Sequence, residues 1–142
     1  MVIKDMGGSP YAVNIDAVTR ANPNYRNILW TGTGLQVSLM SLQPGEDIGL
    51  EVHPDNDQFF RIEQGQGVFQ AGPTKDNLSY SANVESDWAA MVPKGTWHNI
   101  TNTGSQQMKL YTIYGPAHHP FGTVHATKQI AEAAEAAEHA VG

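Results

Sequence analysis

The sequence predicts an all-β fold, a single small barrel or sandwich, on two observations. Short strand-like segments recur at regular spacing from residue 28 to residue 114, and the turns between them are rich in Gly, Pro and Asn. The 142 residues, with 14 Gly and 8 Pro, fit one domain around one core, and neither an internal repeat nor a second domain stands out.

Residues 1–30 read as an arm. Ser9-Pro10 is a candidate helix start, with Pro at the first helical position, so residues 11–20 form either one short helix or an irregular segment. Asn22, Pro23 and Asn24 make the stretch 21–27 turn-rich. Leu35, Val37 and Leu39 then alternate with Gln36 and Ser38, the period of a strand. A turn at 43–46 leads into a short strand over 50–53, and residues 54–57 turn the chain again. Residues 58–63 are strand-like and close at Gly65 and Gly67; 68–71 and 78–84 flank a loop as the arms of a hairpin. Segments 88–92, 97–100 and 108–114 complete a barrel expected over 31–115. Residues 116–142 belong to the same domain: a loop rich in Pro, His and Gly, then a helix over 127–140 rich in Ala and Glu. Ile130, Ala134, Ala137 and Val141 give that helix a thin apolar stripe able to dock on the barrel or on a partner.

Eight basic against fourteen acidic side chains leave a net charge of −6. A nucleic-acid binder needs a basic footprint, which is missing, and the balance also disfavours an anionic membrane surface. With no cysteine, a disulfide framework is excluded and a reducing cytoplasm fits. Residues 1–8 hold one Lys and lack the apolar run of a signal peptide. No stretch approaches the roughly 20 apolar residues of a membrane helix. A cytoplasmic protein with a small-molecule ligand is the expectation.

One constellation carries chemistry. Glu51 and His53 stand two apart, so on a strand they share a face. Gln58 follows a four-residue turn that can bring it beside them, with Phe60 and Ile62 on its own face. His98 follows Pro93-Lys94-Gly95, a turn that aims a short strand inward. Imidazole, carboxylate and amide donors converging on one point suit a divalent metal. Asp57, the neighbour most easily confused with Gln58, falls on the opposite face with Arg61 and Glu63, which read as surface or subunit contacts.

These residues also resemble a family. Gly45, five residues, Glu51-x-His53, four residues, Gln58, six residues and Gly65 are similar to the first cupin motif. Pro93-x-Gly95-x-x-His98-x-x-x-Asn102 is similar to the second. Tyr25-Arg26, Leu29-Trp30-Thr31-Gly32, Gly122-Thr123-Val124-His125 and Thr127-Lys128 look like a group of small bacterial cupins often labelled mannose-6-phosphate isomerase-like. The resemblance implies a double-stranded β-helix, or jelly-roll barrel, holding one divalent ion (Fe, Mn, Zn, Ni or Co) on Glu51, His53, Gln58 and His98. It also implies a homodimer, with the arm over 1–30 as the candidate exchange element. The usual first motif has His-x-His and then Glu; here Glu51 takes the first His position and Gln58 the Glu position. Asp87 replaces the leading Gly of the second motif.

The candidates for catalytic roles are Glu51, His119 and His125. The loop histidines His118, His119 and His125 read either as a lid bringing an acid or base over the barrel mouth, or as loop packing. Tyr25, Trp30, Tyr111 and Tyr114 read as core or interface aromatics. A metal-dependent isomerase, lyase or dioxygenase acting on a small polar or sugar-like molecule is the first functional expectation. A non-catalytic small-molecule binder is the second, and a structural protein the third. A phosphosugar site calls for Arg or Lys near the mouth, and the sequence places none of the eight basic residues there.

Overall fold

A computed structural model describes residues 2–141. Helix α1 (Ile15–Ala21) leads into strands β1 (Arg26–Thr31), β2 (Gln36–Leu42), β3 (Asp57–Gln64), β4 (Gln66–Gly72) and β5 (Tyr80–Glu85). Strands β6 (Ala89–Val92), β7 (Trp97–Asn102), β8 (Met108–Gly115) and β9 (Val124–His125) follow, then helix α2 (Lys128–Val141). The strands form two antiparallel sheets, in the orders β6-β3-β8-β2-β1-β9 and β5-β4-β7. Both sheets turn apolar residues inward, among them Met40, Leu42, Phe60, Ile62, Ile100 and Leu110. This is the jelly-roll barrel with short terminal helices that the two motifs imply.

Several elements differ from the sequence reading for local reasons. Helix α1 begins at Ile15, not at Pro10, because Asn14 caps it by accepting the Ala17 N–H at 3.0 Å. The sheet begins at Arg26, inside the segment read as an arm. The expected strand over 50–53 reduces to a single bridge at Glu51, opposite His98. In β2 both faces are covered: Met40 and Leu42 join the barrel core, while Leu39 packs with Val18 of α1 and Leu29, and Val37 rests against that second cluster. Leu35 precedes the strand and is exposed.

The β1–β9 edge of the larger sheet and the segment 47–51 face each other along a seam. Tyr25 spans it, its hydroxyl donating to the Asp47 carbonyl at 3.2 Å. Helix α2 lies at the same seam, held by Lys128 on the Asp47 carboxylate and by Glu135 on Arg26 at 3.3 Å. Its docking residue is Ala131, 2% exposed, whereas Ile130 of the expected stripe is 50% exposed. Ala134 is half-buried and Ala137 exposed; the side chain of Val141 lies outside the described residues. Ala131 joins the barrel core, and the ion pairs of Lys128 and Glu135 anchor the helix on either side of it.

Two turns show what the motif positions are for. Asp87 has φ of 73°, the left-handed conformation that the family's Gly reaches without strain, and its carboxylate accepts from Arg61 Nη2 at 3.0 Å. Gly65 has φ of 97°, and a Cβ there would stand 3.0 Å from the Met108 backbone. Gly65→Ala is therefore expected to destabilise the fold by about 1–3 kcal/mol. A urea midpoint unchanged from the wild type would contradict this.

Candidate metal centre

Glu51 and His98 form a reciprocal antiparallel pair: Glu51 N–H donates to the His98 carbonyl at 3.1 Å, and His98 N–H to the Glu51 carbonyl at 2.9 Å. Directly opposed residues share a face, so both side chains enter the barrel. His53 is fixed nearby, its carbonyl accepting from Gly95 N–H at 2.8 Å. The turn of the second motif thus clamps the end of the first. Gln58 comes from β3 across the barrel, as its inward face predicts. Asp57 points away and accepts from the Lys94 N–H at 2.9 Å. Arg61 and Glu63 lie on the outer face, 3.4 Å apart, with Arg20 of α1 donating to the Glu63 carbonyl.

The donors converge. Glu51 Oε1 lies 3.1 Å from His53 Nε2 and 3.4 Å from His98 Nε2. The ligand atoms of these three residues all fall within 4.8 Å of one another. Gln58 Oε1 stands 3.0 Å from His98 Nε2. His53 and His98 are buried, and Glu51 is 23% exposed at the mouth. Burial pushes the Glu51 carboxyl up, but the two imidazoles outweigh it and hold it down at about 2.

Hydrogen bonding behind the donors sets their orientation. His98 Nδ1 lies 3.0 Å from the Thr96 carbonyl, which can only accept, so Nδ1 carries a proton and Nε2 is the ring atom turned to the site. Gln58 Nε2 donates to Thr112 Oγ1 at 2.9 Å, which turns its Oε1 toward His98. His53 Nε2 is buried and has no hydrogen-bond partner among the described residues; its approach to Glu51 is close but misaligned. Nitrogen and oxygen atoms able to ligate a metal therefore face one point.

The loop histidines line one wall of the same chamber. His118 sits on His53 with ring centres 4.2 Å apart, and the Tyr114 ring meets His53 edge-on at 5.6 Å. His119 Nε2 lies 3.3 Å from the Tyr114 hydroxyl. Gln36, inside the barrel, accepts from the backbone N–H of both His118 and His119 and donates to the His119 carbonyl at 2.8 Å. Burial pushes the His118 imidazole down to about 4 and that of His119 to about 2, and it pushes the Tyr114 phenol up. At neutral pH all three are uncharged. His125 lies farther off, with Nδ1 3.0 Å from Arg26 Nη1. Of the catalytic candidates, Glu51 is at the centre, while His119 and His125 stand behind His118.

Sequence reasoning missed Gln36, Thr112 and Arg26. Arg26 opens β1 and shares the inward face with Ile28, a signal that period-two counting on β1 would have given. It places a buried cation in the barrel where none was expected.

Comparison with known proteins agrees with the fold. The cupin domain family model matches residues 38–114. The uncharacterized protein YrkC of Bacillus subtilis is 56% identical over 135 residues, which is 95% of this chain and 73% of that protein. The crystal structure of BH2720 from Bacillus halodurans superimposes with a TM-score of 0.91 at 53% identity, covering 92% of this chain and 99% of that one. The uncharacterized protein L612 of Acanthamoeba polyphaga mimivirus is 44% identical over 80% of this chain and 70% of its own.

Thr112→Val removes the acceptor of the Gln58 amide and leaves a buried N–H unpaired. Thermal unfolding of chelator-treated protein is expected to show a loss of about 1–3 kcal/mol. A variant as stable as the wild type would mean that Thr112 does not hold Gln58 in place.

Proposed function

The chain belongs to the cupin domain family, and on that premise we propose that it binds one divalent metal ion on Glu51, His53, Gln58 and His98. We read it as a metal-dependent enzyme of isomerase, lyase or dioxygenase type acting on a small polar organic molecule. The supporting observation is the convergence of ligand atoms: His98 Nε2 lies 3.0 Å from Gln58 Oε1 and 3.4 Å from Glu51 Oε1, and the ligand atoms of Glu51, His53 and His98 all fall within 4.8 Å of one another. Donor atoms each about 2.1 Å from one ion would stand about 3–3.5 Å apart, so the side chains would need to move little to bind one.

Two imidazoles and a carboxylate, with Gln58 as a neutral fourth donor, suit Fe, Mn, Zn, Ni or Co and leave positions open for a ligand. When bound, such an ion supplies Lewis acidity, and a redox-active one also supplies oxygen chemistry. The rest falls to the chain. The protonated Tyr114 hydroxyl and the neutral His118 and His119 form a wall able to donate to or accept from a substrate oxygen. Thr96 and Thr112 hold His98 and Gln58 in the orientation that binding needs. A cytoplasmic setting, in keeping with the absence of cysteine, is part of this reading.

Elemental analysis of the untagged protein is expected to give about one metal per chain, and His53→Ala and His98→Ala are expected to lose it. Metal at about a hundred times its dissociation constant should stabilise the wild type by about 2.7 kcal/mol and leave His98→Ala unchanged. A protein that takes up no metal after anaerobic reconstitution would contradict the reading. A tightly bound ligand recovered unchanged would favour a non-catalytic binder.

A homodimer belongs to the same reading. Met91, Phe59 and Ile113 stand side by side on the outer face of β6, β3 and β8, and Met91 is 67% exposed. Val37 and Trp30 continue the row, but Trp30 is covered by the chain's own arm, its Nε1 donating to the Ser9 carbonyl at 2.8 Å. The uncovered part is an apolar patch suited to a second copy. Light scattering at micromolar concentration is expected to return twice the chain mass of 15.4 kDa; a single chain mass would overturn it.

A further inference from the structure

Arg26 is a buried cation that the metal centre leaves unexplained. Its side chain is 2% exposed, inside the barrel at the seam that α2 covers. Nη1 meets His125 Nδ1 at 3.0 Å and Glu135 Oε1 at 3.3 Å, and the guanidinium lies 5.3 Å from the centre of the Tyr25 ring. Nε is buried and has no hydrogen-bond partner among the described residues. The wall of the metal centre runs to this point. The His125 and His119 rings are 6.5 Å apart, His119 touches the Tyr114 hydroxyl, and Tyr114 abuts His53.

A guanidinium keeps its charge when buried, and an uncompensated buried charge is costly, so the site needs an anion. Glu135 is that anion here, but it comes from a peripheral helix, is 40% exposed itself, and is bonded to Nη1. A carboxylate approaching the other edge of the fork would take Nε and a second nitrogen together, the bidentate geometry that suits Arg. Replacing one carboxylate by another conserves the local charge, whereas a neutral ligand would strand the cation.

We infer that Arg26 anchors a carboxylate group of the substrate, and that Glu135 of α2 holds this anchor in the ligand-free molecule and yields it to the substrate. The inference rests on reading the Glu51–His53–His98 chamber as a substrate site, and it narrows the substrate to a small carboxylic acid. Helix α2 then acts as a door over the seam, fastened by Glu135 on Arg26 and by Lys128 on Asp47.

The test is calorimetric titration of acetate, malonate and succinate, with malonamide and succinamide as neutral counterparts, into metal-assayed samples of wild type, Glu135→Gln and Arg26→Gln. At least one carboxylate is expected to bind the wild type and its amide not to. Glu135→Gln removes the internal competitor and should tighten that carboxylate about tenfold, because the competent state no longer has to be opened first. Arg26→Gln should abolish binding with metal content unchanged. Hydrogen exchange over residues 128–137 should quicken in the bound wild type. Carboxylate and amide binding alike, no carboxylate binding at millimolar concentration, or an unchanged affinity in Glu135→Gln would each overturn the inference. Should Arg26→Gln fail to fold, the Glu135→Gln comparison decides alone. A wild type without metal that still shows the tenfold effect would defeat the metal reading and leave the Arg26 anchor standing.

Discussion

The reciprocal backbone pair between Glu51 and His98 is the constraint on which the site depends. It joins segments far apart in the chain and puts both side chains at one level of the barrel, on one face. Once that pair is made, His53 follows through the Gly95 clamp, and β3 brings Gln58 across from the other sheet. The closure entropy of such a long loop is offset by the strand ladders around it, not by the site itself. The site is therefore assembled by the fold.

The barrel interior is divided accordingly. Met40, Leu42, Phe60, Ile62 and Leu110 fill one part with apolar volume, while Gln36, Gln58, Thr112, His53 and His98 occupy the part that holds the donors. Most of those polar groups answer one another: Gln36 holds the histidine loop, and Thr112 holds Gln58. The exceptions are informative because buried polar groups are usually paired. Two of them, His53 Nε2 and Arg26 Nε, lack a hydrogen-bond partner among the described residues, one at the triad and the other at the seam, as do smaller groups such as Ser38 Oγ and Ser41 Oγ.

Much of this was legible from residue spacing. The i, i+2 pair, the intervening turn and the Pro-x-Gly-x-x-His pattern encode geometry directly, since strand period and turn length fix where a side chain points. Less local features were not. Asn14 displaced Pro10 as the helix start because a side-chain cap outweighs a merely compatible ring. Ala131 displaced Ile130 as the docking residue because Lys128 and Glu135, paired with Asp47 and Arg26, set the face turned to the barrel, and no apolar pattern within the helix records those partners. β9 at Val124–His125 was read as loop because two residues carry no periodicity, and its pairing with Arg26 and Asn27 exists only in the folded chain. Arg26 was noted only for the family resemblance and given no role, because nothing beside it in the sequence announces a partner from a helix about a hundred residues away.

X-ray absorption spectroscopy at the edge of the bound metal tests the central claim most directly, because it reports the ligands and not merely the presence of an ion. The account predicts a first shell of nitrogen and oxygen at about 2.0–2.2 Å. It also predicts the outer-shell scattering of two imidazoles, reduced to one in His98→Ala. A shell of water oxygens without imidazole scattering, or a spectrum that His98→Ala leaves unaltered, would place the metal elsewhere and contradict it.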